Sequence, residues 1–526
     1  MKTVKTIFAI SILLTAFYSC RNPKIENQNV LIKPFSDQVI NTMQGGFGAS
    51  MHAIEDSLPV STDGGKYRSW GGSVWGGNPL AEDSVRWNTI FKHADWLGFD
   101  WCRVEVDHGM YEPEKGNFTF DNREMRILYR YLDYCQSRNV DVYFTEMWPD
   151  VKWLVHKNFL GDGVTELRSA PNDFQAWAKG YTHLLNYLIN ERGYTCIKWV
   201  SVNNEPHESW SWWKAADGSP QDILTGLQAM KPEMDALQLP CKLVTTDAPF
   251  KYEIKDEAKY LPFIGALAFH DYGSVFDWWG EQPIMQQTEN ALLKWKDFAR
   301  TNGNLPVFMA EFGSFLFGIV KDTDGPARWI SLIHDAELVI RLANAGIDGM
   351  NRWSFINRGD LDGHWQMIDT WDAKSHMLKD SITPHQNSYY VYGLISRFTS
   401  KYSDVLKTTV SGGNDTTTFV SSDGKRYPLQ RVFAATFRSP ANKTISTFIV
   451  NDSETVREAE IDLSALPEGV YYLYELNQSA KDRTDVLVEP VREISGNKPV
   501  IQLQPLSLVL ISGYKLKADE KGIVID

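Results

Sequence analysis

The sequence predicts a (β/α)8 barrel followed by a smaller all-β sandwich. Three observations carry this. Eight short strand-like runs alternate with stretches of helical periodicity between residues 46 and 355, the pattern of a parallel sheet joined by crossover helices. Near residue 400 the texture changes to short alternating runs punctuated by Gly, Asn, Asp and Thr, as in sandwich domains. Two apolar runs stop at a glutamate: Ile197–Asn204 at Glu205 and Leu305–Ala310 at Glu311. A buried parallel strand reads as a near-continuous apolar run, and in a closed barrel its C-terminal end faces the active site.

Taken in order, the barrel strands are expected at Gly46 to Ser50, Trp101 to Val106, Val140 to Glu146, Trp199 to Asn203, Leu243 to Thr246, Ala266 to Phe269, Val307 to Ala310 and Gly349 to Phe355. Helical periodicity lies between them at Ser84 to Leu97, Arg123 to Ser137, Asp173 to Arg192, Asp222 to Leu237, Gln286 to Thr301 and Pro326 to Ala345. The proline suits the first turn of the last of these. Ser388 to Tyr402 reads as a final helix packing on the barrel. Beyond it, Arg431 to Arg438, Ile445 to Val450, Gly469 to Leu476, Val500 to Leu503 and Leu506 to Ile511 fit strands. The boundaries so drawn are 1–19 for a signal peptide, 20–44 for a tether and lead-in, 45–402 for the barrel, 403–517 for the sandwich and 518–526 for a charged tail.

At 526 residues the chain is long enough for both domains. A formal charge of −13 argues against a nucleic-acid partner. At the N-terminus, Lys2 and Lys5 precede the apolar run Ile7 to Phe17, and Ser19-Cys20 follows. These are signal-peptide proportions, too short for a spanning helix. The cysteine directly after the run resembles a bacterial lipoprotein site, with cleavage before Cys20 and lipid on its sulfur, although Phe17-Tyr18 are bulkier than usual there. The chain is therefore expected in the bacterial envelope, on the outer surface or in the periplasm, touching the membrane through the lipid alone. The other four cysteines, Cys102, Cys135, Cys196 and Cys241, are too few for a disulfide scaffold and lack metal-site spacing.

Two carboxylates on two strand ends can share one cleft, and a pair of carboxylates is what glycoside hydrolysis requires. Rival strand-end carboxylates are Glu105, Asp107, Glu146 and Asp247. Each could bind a sugar hydroxyl or form an ion pair at the rim. Glu208, three residues past Glu205 in a loop, is a weaker candidate for the acid. There is no EF-hand pattern, HExxH, GxSxG elbow, P-loop or GxGxxG after a first strand. No metal and no cofactor is expected.

Asn204-Glu205-Pro206 resembles the Asn-Glu-Pro signature on strand four of the clan A glycoside hydrolases, a TIM-barrel clan of retaining enzymes. There the strand-four glutamate is the acid/base and a glutamate ending strand seven is the nucleophile. Glu205 and Glu311 end strands four and seven by the count above. The resemblance further implies that Asn204 bonds the sugar 2-hydroxyl and that Arg103, on strand two, keeps Glu311 ionised. The rival reading pairs Arg103 with Glu105 or Asp107. On strand six, Tyr272 would donate to the nucleophile, and His270 is an equal candidate for a sugar contact. On strand eight, Trp353 would form an aromatic floor. Glu146 and the loop residues Trp148 and Trp210 are carried as further substrate contacts, as part of a wider set of loop tryptophans that includes Trp153 and Trp213.

By resemblance, then, the expected activity is hydrolysis of O-glycosidic bonds, β-linked by expectation, in a polysaccharide or oligosaccharide by double displacement. The alternatives are a glycan-binding surface lipoprotein without catalysis, and a transglycosylase using the same site. The sandwich is expected to support the barrel, with glycan binding as its alternative role.

Overall fold

The computed structural model describes residues 29–53, 77–147, 149, 151–160, 169–206, 213–245, 247–249, 254–272, 284–313, 329–356, 365–372, 374–375, 377–420, 426–480 and 489–516. Eight parallel strands close a barrel: Gly46–His52, Trp101–Val106, Asp141–Glu146, Ile197–Ser201, Lys242–Val244, Ile264–Asp271, Val307–Phe312 and Gly349–Arg352. Each pairs with the next, and the eighth pairs with the first. All eight overlap the expected runs. A two-residue strand, Ala248–Pro249, lies beyond the end of the fifth and pairs with the sixth.

Side chains alternate across each strand. One set fills the floor of the lumen: Trp101, Tyr143, Val244, Ala266, Ala268, Phe308 and Ala310 form one cluster, with Trp199 packed against it. The Trp101 and Trp199 rings sit 5.3 and 5.2 Å from that of Phe308, and burying each large ring is worth roughly 2–3 kcal/mol. Two residues further along, the lumen turns polar at Arg103, Thr145 and His270, all buried. The other set, including Val104, Phe144, Leu243, Phe269 and Met309, packs outward against the helices.

Those helices start where side chains can cap them. Asp83, Asn122 and Asp173 accept from the backbone N–H three residues on, at 3.1, 2.9 and 3.0 Å, which satisfies a donor the helix leaves open. They open Ser84–Leu97, Arg123–Ser137 and Phe174–Asn186. The third is shorter than its periodicity suggests, because Tyr187–Glu191 widens into a π turn. Leu224–Ala236, Ile284–Thr301, Trp329–Asn344 and Gln386–Ser396 complete the set. The last stops six residues before the expected Tyr402, and Pro326 lies outside the described residues.

The second domain is a nine-stranded, mostly antiparallel sheet. Its spatial order is Arg492–Ile494, Tyr471–Leu476, Ser507–Ser512, Ile445–Asn451, Val432–Arg438, Asp404–Ser411, Val30–Thr42, Arg457–Ile461 and Val500–Leu503. Strands from both ends of that order share one core, with Ile461, Leu503, Leu473 and Ile494 in a single buried cluster. The sheet therefore rolls over on itself as a sandwich does.

One boundary needs correction. The stretch read as a lead-in up to residue 44 is instead Val30–Thr42, an inner strand of this sheet. It runs antiparallel to Asp404–Ser411 and parallel to Arg457–Ile461. Pro34 and the register shifts between Pro34 and Asn41 break its alternation, and a proline demotes a strand signal.

The sheet docks on helix Trp329–Asn344. Trp329 Nε1 donates to Leu506 O at 2.6 Å, Asn344 Nδ2 donates to Ala434 O at 2.9 Å, and the Arg341 guanidinium stacks 4.1 Å from the Phe433 ring centroid. The four described cysteines are free and buried. No helix among the described residues is long and apolar enough to cross a membrane.

Candidate active site

The polar layer of the lumen is organised by Arg103, which is fully buried on the second strand. A guanidinium has five N–H donors, and here each finds an acceptor. Nε donates to Thr145 Oγ1 at 3.2 Å, and Nη1 donates to Glu105 and to Glu311. Nη2 donates to Asn204 Oδ1 at 2.7 Å and to Asp247 Oδ2 at 2.9 Å. The second, third, fourth, fifth and seventh strands thus converge on one side chain. Arg103 pairs with Glu105 as well as Glu311, and Asp107 is not among its partners.

Glu311 reaches the lumen through a bulge. Its strand runs in step with both neighbours through Met309, then carries one extra residue: His270 pairs with Glu311 and Arg352 with Phe312. A bulge re-aims a side chain, and this one lets Ala310 and Glu311 both face inward. On the sixth strand the alternation stays regular, so Ala266, Ala268, His270 and Tyr272 share the lumen face. Tyr272 OH donates to Glu311 Oε2 at 2.7 Å. Glu205 follows the fourth strand with φ 44°, and Asp247 follows the fifth with φ 45°. Such left-handed backbone is uncommon outside glycine. The two positions hold each other, as Glu205 N donates to Asp247 O at 2.8 Å.

The imidazole of His270 joins these parts. Nδ1 lies 2.9 Å from Glu205 Oε1 and 3.4 Å from Glu311 Oε2, while Nε2 lies 2.9 Å from Asp247 Oδ1. One carboxylate oxygen from each glutamate and a ring nitrogen of His270 fall within 4.8 Å of one another.

Electrostatics follow from burial and the charge count. Burial alone would lower the pKa of His270, but the Glu311 and Asp247 carboxylates, with hydrogen bonds to Asp247 and Glu205, hold it up at about 10. Burial opposes ionisation of Asp247 too, yet Arg103 and His270 pull it down to about 2. At Glu311 burial wins. It is pushed up to about 7, against the pull of His270 and Arg103 and with the help of Glu205 and Glu105. Arg103 does favour the ionised form of Glu311, in the expected direction, but one guanidinium is shared among three carboxylates and burial outweighs its portion. Glu205, His270 and Glu311 are close enough to hold a metal ion, and the carboxylates around His270 favour its protonated form, so an ion there would have to displace the ring proton.

Other expected contacts fall elsewhere. His270 is 1 % exposed with both ring nitrogens occupied, so it is not placed to touch a sugar. Glu146 points out of the barrel. Trp177 Nε1 and Tyr111 OH donate to it, and His108 Nδ1 lies 3.2 Å away, so no oxygen remains for substrate. Trp213 is buried against Phe174 and Trp177 rather than displayed on a loop. Trp353 is buried beside the site, 4.6 Å from His52 and 6.0 Å from the Arg103 guanidinium, and its peptide bond to Ser354 is cis. Trp148, Trp210, Glu208 and Cys20 lie outside the described residues.

Sequence reasoning missed His52, whose Nδ1 meets Glu105 Oε2. The first strand runs on to His52, two residues past the Ser50 at which the sequence pattern ends it. It also missed the buried cluster of His108, Tyr111, Glu112 and Glu146. Burial would lower His108, but Glu146 and Glu112 raise it to about 9. The adjacency of Asp107 and His108 just past a strand end was the available signal.

No family model matches the chain, and no curated protein matches it in sequence. Solved structures do match in fold. They include a GH30 endoxylanase from Clostridium papyrosolvens C71, with TM-score 0.55 and 13% identity over 92% of this chain and 99% of that one. A thermostable GH51 α-L-arabinofuranosidase from Thermotoga petrophila RKU-1 gives 0.59 and 12% over 92% and 99%. A conserved exported protein from Bacteroides fragilis gives 0.62 and 14% over 92% and 100%. At such identities the likeness establishes the fold, a TIM barrel with an added β-domain.

Proposed function

We propose that this chain is a retaining glycoside hydrolase, with Glu311 as nucleophile and Glu205 as acid/base. One observation carries the reading: glutamates from the ends of strands four and seven bring carboxylate oxygens within 4.8 Å of each other. Retaining enzymes hold their carboxyl groups ~5–5.5 Å apart, and inverting enzymes leave a wider gap for water. The fold likeness to two glycosidases supports the same class.

Glu311 would attack the anomeric carbon while Glu205 gives its proton to the leaving oxygen, so that the C–O bond breaks as the glycosyl ester forms. Glu205, now a carboxylate, would take a proton from water, and that water would displace Glu311. Tyr272 and Arg103 hold the attacking carboxylate in place. Asn204 spends Oδ1 on Arg103 and keeps Nδ2 to donate to a substrate hydroxyl, a contact that strengthens as positive charge develops on the ring. Glycosides with β linkage in a polysaccharide or oligosaccharide are the proposed substrates. Envelope attachment through lipid on Cys20 is part of the proposal, tested by fatty-acid labelling of the wild type and Cys20→Ser.

The test of mechanism is a polysaccharide screen of the chain lacking residues 1–20. Glu311→Ala is expected to abolish turnover. Glu205→Ala is expected to retain turnover of glycosides with activated leaving groups and to be accelerated by azide. Near-normal rates in Glu311→Ala would overturn the reading. So would a Glu205→Ala variant that fails equally on activated substrates and ignores azide.

A further inference from the structure

We propose that Asp247 is a positioning residue: it holds His270 as an imidazolium whose Nδ1–H is aimed between Glu205 and Glu311. The inference rests on the reading of those two glutamates as the reacting pair.

The geometry is specific. Asp247 is fully buried and each of its oxygens has a cationic partner, His270 Nε2 on Oδ1 and Arg103 Nη2 on Oδ2, both at 2.9 Å. An ionised carboxylate only accepts. Nε2 of His270 must therefore carry a proton toward Asp247. With Nε2–H committed, Nδ1 is left facing Glu205 Oε1 at 2.9 Å and Glu311 Oε2 at 3.4 Å. Donation to an ionised Glu311 requires a second ring proton. The groups that face the imidazole are Glu205 past the fourth strand, Asp247 past the fifth and Glu311 on the seventh, with Tyr272, one residue past its own sixth strand, donating to Glu311. Arg103, on the second strand, touches two of these carboxylates. Three acidic groups lie within contact distance of the ring, which favours its charged form.

This placement matches the charge movement of a double displacement. Before attack the negative charge is on Glu311. In the glycosyl-enzyme it is on Glu205, while Glu311 is a neutral ester. An imidazolium anchored behind by Asp247 can serve either acceptor from one position. Asp247 also fixes the frame, since its carbonyl takes the Glu205 backbone N–H. Catalysis is sensitive to such placement, with about 100-fold lost for ~1 Å.

The imidazole nitrogens can be followed directly by long-range 1H–15N correlation, with His270→Gln identifying the signal among 11 histidines. In the wild type both ring nitrogens are expected to be protonated at pH 8. On titration the remaining proton should stay on Nε2. In Asp247→Asn the titration should fall by about one to two pH units and the neutral ring should lose its Nε2–H preference. Asp247→Glu, which keeps the charge, should restore most of both. A wild-type His270 that is neutral at pH 8 overturns the proposal without any variant, so it stands or falls even if Asp247→Asn does not fold. An unchanged titration and tautomer in folded Asp247→Asn also overturns it. In kinetics, Asp247→Asn should lower kcat by roughly 10- to 100-fold with little change in KM. The double variant with His270→Gln should be no slower than His270→Gln alone, and full additivity would mean that the two act separately. The titration needs no substrate. Inactivity on every glycan would therefore sink the glycosidase reading while His270 still reports on Asp247.

Discussion

Replacing Glu311 by Gln should stabilise the protein, and only above acid pH. The side chain is 4 % exposed and its pKa stands at about 7, against an ordinary value of 4.5. That difference of about 2.5 pH units corresponds to roughly 3 kcal/mol by which the folded state disfavours the ionised form. A folded-state pKa above the unfolded one gives stability that is complete below the unfolded value. It is lost as pH rises toward the folded value. The wild type should therefore lose about 3 kcal/mol between pH ~4.5 and ~7 from this group and little more above that. Gln does not titrate and keeps an oxygen to accept from Arg103 and Tyr272. For a barrel of roughly 350 residues, the gain in the melting midpoint is about 4 °C at pH 8 and near zero at pH 4.5. Parallel thermal melts of wild type and Glu311→Gln across pH 4.5 to 8 measure the difference at each pH, which cancels every other titrating group. A flat difference would refute the argument. A difference that favours the wild type increasingly as pH rises would show that Arg103, His270 and Tyr272 together outweigh burial.

The same shift sets the activity profile. A nucleophile must be ionised, so kcat/KM on a neutral substrate should fall tenfold per pH unit below an apparent pKa near 7, as initial rates from pH 4 to 9 would reveal. Arg103→Ala leaves Glu105, Asp247 and Glu311 buried without their shared cation. It should cost about 3–5 kcal/mol in chemical denaturation, and Arg103→Lys should not rescue it, because an ammonium offers three donors where five are used. A chain that starts at residue 44 removes the inner strand Val30–Thr42 and bares the edges of Asp404–Ser411 and Arg457–Ile461. That chain should aggregate or lose its cooperative melt, as scattering during heating would report.

The barrel was legible because its strands are buried on both faces and read as apolar runs of the right length, with glutamates marking two ends. The β-domain was half legible. Ile445–Asn451 and Ser507–Ser512 are buried throughout and stood out, whereas Arg457–Ile461, with polar residues on alternate positions, did not. Val30–Thr42 was missed because its partners lie some 370 and 430 residues away in the chain, and nothing local announces a pairing supplied so far downstream. Within the site, residue types at strand ends were readable, but direction was not. Glu146 and Glu311 both end strands, yet one faces the helices and the other the lumen, and a single extra residue at Ala310 accounts for the inward turn of Glu311. The partition of Arg103 among three carboxylates was also out of reach, because it depends on which side chains meet across five strands.

The charge count then links the site to its cost. Glu105, Glu205, Asp247 and Glu311 surround Arg103 and His270, with four acidic groups against two cations. Ionising all four in a buried layer would leave two negative charges uncompensated, so a resident proton is favoured, and burial decides that Glu311 competes for it near neutral pH. On the proposed mechanism the glutamate pair carries one negative charge throughout, on Glu311 with a proton on Glu205 before attack, and on Glu205 once Glu311 is esterified. A site that bound either charge too firmly would stall the other step. Excess acid around two fixed cations avoids this at Glu311, whose ionised form burial and the neighbouring carboxylates disfavour. The same excess destabilises the folded chain, and the aromatic floor beneath it, where the rings of Trp101 and Trp199 pack on Phe308, offsets that cost by apolar burial.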